Sequence, residues 1–409
     1  MAKLAINGGP KACDYPFPRW PIWDETDKKA LIDVLESGQW WYGKKVKEFE
    51  QKYAEFQDAK FGVTCSSGTT AIEAALLALG VGAGDEVIVP PYTFMATASA
   101  VLKANAVPVF ADIDGDSLCI DPGDVEKKIT DKTKCIIPVH LGGHIADMDK
   151  LGAIAKKHKL FILEDACHSW GGKWKGKGTG ALGDCGVFSF QASKNLNSAE
   201  GGIILTDNQE LADLVRSYTN CGRGKDKPWY EHYLLGSNLR ITEFHAALLL
   251  SQLTRLEEQT LKREANANIL NEGLSKIQGI KTIPNDPRIT RRAYHLFCFR
   301  VDENKIGMTT EKFIAALKAE GVPCGKGYDR PLYKNPLFQR REIGPKGCPI
   351  SCPYYGREID YTKVKCPVCE QVVIDTVWIY QSPLLAEEKA MHLIIDAIKK
   401  VIENASEVK

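Results

Sequence analysis

FGVTCSSGTTAIEAALLALG, residues 61–80, sets how the rest of the chain is read. Phe61 to Cys65 form a short apolar and β-branched run, the pattern of a buried strand. From Ala71 onward, Ala71, Ile72, Ala75, Leu76 and Leu79 recur at helical spacing, and Gly80 supplies a C-cap. Between the two lies a turn of small hydroxyl residues around Gly68. A strand that passes through such a turn into a helix is one arm of a βαβ unit.

The same rhythm continues. Strands are expected at 85–90 (DEVIVP), 107–113 (VPVFADI), 134–141 (KCIIPVHL) and 160–167 (LFILEDAC), with helices at 96–105, 122–129 and 147–159 between them. Two further strands, 185–191 and 201–207, lead into a helix at 208–218. Strands separated by helices of this length imply an α/β fold with a mostly parallel sheet covered on both faces. Residues 241–274 read as one long helix bridging two lobes, and the character then changes to a strand at 293–302 and helices at 309–321 and 386–405. The expected division is a large domain, 1–255, with an N-terminal arm, and a smaller C-terminal α/β domain, 256–409.

Composition narrows the class. The chain has 409 residues, 44% apolar and 26% charged, with a net charge of +1, so neither a nucleic-acid nor a membrane surface is expected. The start lacks a basic region followed by an apolar core, and no apolar run approaches the roughly 18 residues of a spanning helix. A cytoplasmic protein is expected. The 13 cysteines are scattered and read mostly as reduced, buried residues.

In open α/β sheets, ligands bind beyond the carboxyl ends of the strands. Three polar clusters fall there: Ser66 to Thr70, Glu164 to His168, and SFQASK, ending at Lys194. Each has a plainer reading alone: an N-cap, an internal salt bridge at Asp165, a surface lysine. Each also has a chemical one. A helix N-terminus with free N–H groups suits a phosphate. A lysine among apolar walls and near another cation loses its proton and becomes a Schiff-base former. Phosphate cradle, carboxylate and lysine together are the parts that hold pyridoxal 5′-phosphate (PLP), with the carboxylate keeping the pyridine nitrogen protonated.

Here the chain resembles a family. The series GDEVIVPPYTFMATASAV, PVFADID, VHLGGHIADMD, LEDACHSWG, FSFQASKNLNSAEGG and GSNLRITEFHAALLLSQL is similar to the PLP-dependent sugar aminotransferases of the DegT/StrS type, from NGGP to VWIYQSPLL. The family includes keto-sugar and keto-cyclitol aminotransferases and aminohydroxybenzoate synthases. The resemblance implies the PLP-dependent transferase fold type I. It makes Lys194 the Schiff-base lysine and Asp165 the partner of the pyridine nitrogen. His168 takes the position beside the ring hydroxyl and Phe94 the position that stacks on the ring. Gly68, Thr69 and Ser189 take phosphate-binding positions. Asn238 takes the phosphate position that the family supplies from the other subunit, so a homodimer with a shared active site is implied. Relatives that carry histidine in place of the lysine dehydrate instead, and this chain keeps lysine.

The implied activity moves an amino group from glutamate or glutamine to a keto-sugar or keto-cyclitol. A dehydrating, aromatising synthase and a catalytically silent regulatory protein on the same fold are the alternatives. Aromatic and basic segments around Tyr42 and Tyr328 are expected to face the substrate, and Arg240, with Arg223 and Lys225, offers cations for a diphosphate. GGKWKGKG, 171–178, has P-loop spacing but Gly178 where Ser or Thr must bind Mg²⁺, so a basic turn between strands is expected. His140 and His144 have no third ligand in sight and carry no metal expectation. Cys348, Cys352, Cys366 and Cys369 have spacing within reach of a structural zinc site, against which stands a reading as ordinary reduced thiols.

Overall fold

The computed structural model describes residues 3–340, 343–351 and 353–408. In chain order, helices α1 (Glu25–Ser37) and α2 (Lys44–Phe56) precede strand β1 (Phe61–Cys65). Then α3 (Gly68–Ala78), β2 (Glu86–Val89), α4 (Ala96–Lys103), β3 (Val107–Phe110), α5 (Pro122–Lys128), β4 (Thr133–Ile136), α6 (Met148–His158) and β5 (Phe161–Asp165) alternate. A hairpin, β6 (Lys173–Trp174) and β7 (Lys177–Gly178), is what the P-loop-like stretch forms. Strands β8 (Cys185–Ser189) and β9 (Gly202–Thr206) and helices α7 (Gln209–Thr219) and α8 (Glu243–Leu274) follow.

The seven strands of the main sheet lie in the order β1-β9-β8-β5-β4-β2-β3. The pairs β8/β5, β5/β4, β4/β2 and β2/β3 are parallel, and β9 alone runs antiparallel to both its neighbours. Burial on both faces explains the apolar composition of these strands. Val187 and Ile204 enter the core shared with α3, α4 and α7, while Phe188, Ile203 and Leu205 enter a second core with α2 and the first half of α8. Strand alternation thus divides two cores between two faces.

Past α8 lies a four-stranded antiparallel sheet in the order β10-β12-β14-β13, built from β10 (Ile280–Thr282), β12 (Leu296–Val301), β13 (Cys324–Lys326) and β14 (Thr376–Tyr380); β11 (Ile289–Arg291) pairs with the hairpin instead. Its core takes Phe299, Phe313, Ile394 and Ile398, and Leu270 and Leu274 from the far end of α8, so that helix serves a core in each lobe. Two segments cross between lobes. Leu4 and Cys13 pack in the C-terminal core, where buried Glu320 accepts the Ala5 and Ala12 N–H groups at 2.8 Å each. Conversely, Tyr333, Phe338, Tyr355 and Tyr361 join the core of the main sheet. They cover β3, whose edge would otherwise be open to pairing: Tyr361 donates to the Pro108 carbonyl at 2.8 Å and its ring meets Phe110 edge-on.

Candidate active site

The strand ends of the main sheet open into a cavity of about 480 Å³. The turn between β1 and α3 forms one wall. Ser67 caps α3 by accepting the Thr70 N–H, and Thr70 Oγ1 accepts the Ser67 N–H at 3.0 Å. The plain N-cap is therefore real, and it leaves the first-turn N–H groups of Gly68 and Thr69 at the cavity wall. Gly68 is required by close approach: a Cβ there would stand 2.8 Å from Ser189 Cβ and 3.1 Å from Cys167 Sγ. A helix N-terminus pressed against the end of β8, with Ser189 beside it, offers free N–H groups and the positive end of a helix dipole, which suit an anion.

Strand alternation separates the two acids of LEDAC. Glu164 points into the protein, where it accepts N–H groups from Gly180, Leu182 and Gly183 and pairs with His140 Nε2 at 2.9 Å. His140 is thus a fully buried structural partner. Asp165 points into the cavity. Thr97 Oγ1 donates to its Oδ2 at 2.8 Å and the Cys167 N–H to its Oδ1 at 3.3 Å. Thr93 lies 3.1 Å behind Thr97, so a short hydroxyl chain fixes the carboxylate.

Lys194 stands on the loop after β8. That loop is closed by Phe190 N–H to Gly201 O, Ala192 N–H to Ala199 O and Ser198 N–H to Phe190 O at 2.8–2.9 Å. Burial lowers the Lys194 pKa from its ordinary value, against the pull of Cys167 and Asp165. Its ammonium lies 5.8 Å from the Trp170 ring centre. His168 accepts the Gly142 N–H on Nδ1 at 3.3 Å, which leaves the hydrogen on Nε2 as a donor for the cavity. Burial, then the Lys194 charge, holds this imidazole well below the usual histidine range.

Of the other residues singled out by sequence, Phe94 and Tyr328 line the same cavity, and Phe94 is 63% exposed. Tyr42 and Arg240 instead line a separate cavity of about 50 Å³. Tyr42 is turned to Glu50 at 3.2 Å, and Arg240 donates to Asn220 at 2.7 Å with its guanidinium over Trp41. Asn238 is exposed on the segment before α8, where its backbone bridges to Asn220. Cys366 and Cys369 are buried in the core of the main sheet, and burial raises both thiols, Cys366 to about 12. Cys348 is half-buried, and Cys352 lies outside the described residues. Among the described residues no three His, Cys, Asp or Glu side chains gather as a metal set, and no helix is long and apolar enough to cross a membrane.

Sequence reading missed Thr97 and His295. His295 Nδ1 lies 2.9 Å from Asn195 Oδ1, while Asn195 donates to the Ala293 carbonyl, so the residue beside Lys194 is clasped by the C-terminal lobe. Nothing in AYHLF distinguishes that histidine from an ordinary strand residue. Thr97 falls one residue inside α4 and could have been found only by asking which hydroxyl reaches Asp165.

These residues fit PLP on structural grounds. The α3 cradle suits its phosphate, fixed Asp165 its pyridinium, and a lysine of lowered pKa its aldehyde. The chain belongs to the DegT/DnrJ/EryC1/StrS aminotransferase family, whose pattern matches residues 21–360. The members are PLP-dependent aminotransferases, and the chain is accordingly a transferase. It is 37% identical to a putative L-glutamine:3-amino-2,3-dideoxy-scyllo-inosose aminotransferase of Micromonospora echinospora, over 100% of this chain and 99% of that one. The crystal structure of 3-amino-5-hydroxybenzoic acid synthase superimposes with a TM-score of 0.85 at 33% identity, covering 95% of this chain and 99% of the other. That of S. venezuelae DesV in complex with a ketimine intermediate gives 0.82 at 31% identity, covering 95% and 99%.

Proposed function

We propose that the strand-end cavity holds PLP on Lys194 and that the protein moves the amino group of glutamine or glutamate onto a keto-cyclitol or keto-sugar. The observation that carries this reading is the meeting of Lys194, Asp165 and the α3 N-terminus around one cavity. A relative named for L-glutamine and an inosose supports glutamine as donor and a cyclitol ketone as acceptor.

Bound PLP supplies the electron sink for the pair left when the amino-bearing carbon loses its proton. The chain supplies the rest. Gly68, Thr69 and Ser189 would hold the phosphate, and Phe94, which lines the same cavity, would pack against the ring. Asp165, pinned by Thr97 and the Cys167 N–H, keeps the proton on the pyridine nitrogen. His168 offers Nε2–H to the ring hydroxyl. Lys194 would anchor the cofactor, and when its amine is free it would take and return the proton of the substrate's amino-bearing carbon. A base for that step works best with a pKa near the working pH, which is the direction in which burial moves Lys194.

We further propose a homodimer in which Asn238 reaches the phosphate of the neighbouring subunit. In support, the segment before α8 exposes Trp229, Tyr230, Tyr233 and Leu235, the last 97% exposed, a run of apolar surface suited to a partner.

The test is to purify the protein, record its visible spectrum, and screen keto-inositols and keto-sugars with glutamine and glutamate. A yellow protein that is bleached by glutamine and recoloured by an inosose is expected. A protein that binds no PLP would overturn the reading, and an aromatic product would replace it with the dehydrating synthase.

A further inference from the structure

Lys194, His168, Ser193 and Tyr328 also line a second cavity, of about 360 Å³, on the side of the C-terminal lobe. Its other walls include Trp20, His295, Trp378 and Gln381, and no acidic side chain lines it. Behind this wall lies Arg263 of α8, which is 0% exposed. Nε and Nη2 donate to Gln381 Oε1 at 3.1 and 2.7 Å, Nη2 also reaches Gln259 Oε1 at 3.4 Å, and the guanidinium lies 5.5 Å from the Trp20 ring centre. All of these partners are neutral, and Nη1 has none. Arg216, Arg255 and Arg300, by contrast, each meet a carboxylate.

A buried cation without an anion is costly, and burial alone lowers the Arg263 pKa to about 9. The same charge helps to hold His295 in its neutral form, after burial, His168 and Lys194. Gln381 lines the cavity and turns its oxygen to Arg263, so its amide N–H₂ is not engaged by that contact. The second cavity therefore carries oriented donors and positive potential and no opposing acid.

We propose that this second cavity binds the α-carboxylate of the amino donor, with Gln381 as the contacting residue and Arg263 as the positioning residue that orients its amide and supplies the compensating charge. This rests on the reading above, that the donor is an amino acid. A keto-cyclitol has no carboxylate, so the subsite would serve one half of the reaction and leave the other indifferent.

The test is Gln381→Glu, which places a carboxylate against Arg263. The expected result is two effects of opposite sign: a raised Tm, because the buried cation gains its counter-ion, and impaired donor binding, because the new charge repels the donor. Half-saturation by L-glutamine, followed as bleaching of the PLP band, should rise at least about tenfold relative to the keto-inositol half-reaction, the loss of one hydrogen bond to a charged group. L-glutaminol, which lacks the carboxylate, should lose little. Arg263→Lys should recover more donor affinity than Arg263→Met. Calorimetry with glutarate and the PLP-loaded protein gives a readout that needs no turnover: wild type binds and the Gln381→Glu protein does not. Unchanged glutamine half-saturation, or unchanged glutarate binding, in Gln381→Glu would overturn the proposal. A wild type that binds glutarate through Gln381 but is bleached by no amine would break the functional reading and leave the carboxylate site standing.

Discussion

The two cavities that meet at Lys194 are built from different materials. The first is assembled within 134 residues of one lobe, from Ser67 to Glu200 with only Tyr328 added from beyond them, and holds the Asp165 carboxylate opposite a helix N-terminus. The second gathers Trp20 from the N-terminal arm, His295 and Gln381 from the C-terminal lobe and, behind them, Arg263 from the helix between, with no carboxylate at all. On the proposed reading, one would take a zwitterionic ring with a phosphate tail and the other an anion presented beside the lysine. A single amine at the junction can serve both, because its proton is weakly held by burial and its charge is available to either side.

The sharpest way to break this comparison is to remove the junction. Lys194→Ala should lower amino transfer by about 10³-fold or more, the scale of a lost general base together with its anchoring. Half-reactions with added PLP measure it, and a loss of less than about tenfold would place the base elsewhere.

Asp165→Asn changes a residue that lines the first cavity and not the second. The amide cannot stabilise a protonated pyridine nitrogen, so turnover should fall about 10²-fold while part of the PLP is retained. Near-normal turnover would remove Asp165 from the mechanism.

Thr97→Val is the finer cut. It deletes the 2.8 Å donor to Asp165 and leaves the carboxylate in place. A hydrogen bond to a charged group contributes about 1.5–3 kcal/mol, so a loss of about tenfold is expected in kcat, with the keto-acceptor KM little changed. An unaltered kcat would show that the Cys167 N–H alone fixes the carboxylate.

The smallest effect is on pH. PLP capture by cofactor-free protein needs the neutral amine, so its rate should rise with pH along a limb lying below the ordinary lysine value of 10.5. The Asp165 charge favours the Lys194 cation, so Asp165→Asn should move that limb lower still. Stopped-flow capture across pH checks both, and a limb at the ordinary lysine position would contradict them.

The same contrast explains what was legible in the sequence. The first cavity is local: its polar residues each follow an apolar run, so strand ends could be read from periodicity, and the rule about strand ends did the rest. Glu164 and Asp165 were separable only through alternation along β5. The reversed direction of β9 leaves no mark in GGIILTD, since a strand buried on both faces has the same composition either way. The cover over β3 was not readable either: Tyr333, Phe338 and Tyr361 lie in a proline- and glycine-rich stretch without a period. Tyr42 and Arg240 were chosen for residue type, and local partners, Glu50 and Asn220, hold them at a different cavity. Arg263 was hidden most completely, as one of several cations in the long helix. Only the packing of Trp20 and Gln381 against it distinguishes it from its solvated neighbours.

The central claim is that Lys194 carries the cofactor. Borohydride reduction of the PLP-loaded protein, followed by proteolysis and mass mapping, tests it directly, because reduction fixes the Schiff base where it stands. The account predicts a pyridoxyl group on the peptide containing Lys194 and none in Lys194→Ala. A label on Lys173 or Lys225 in the wild-type protein would contradict it.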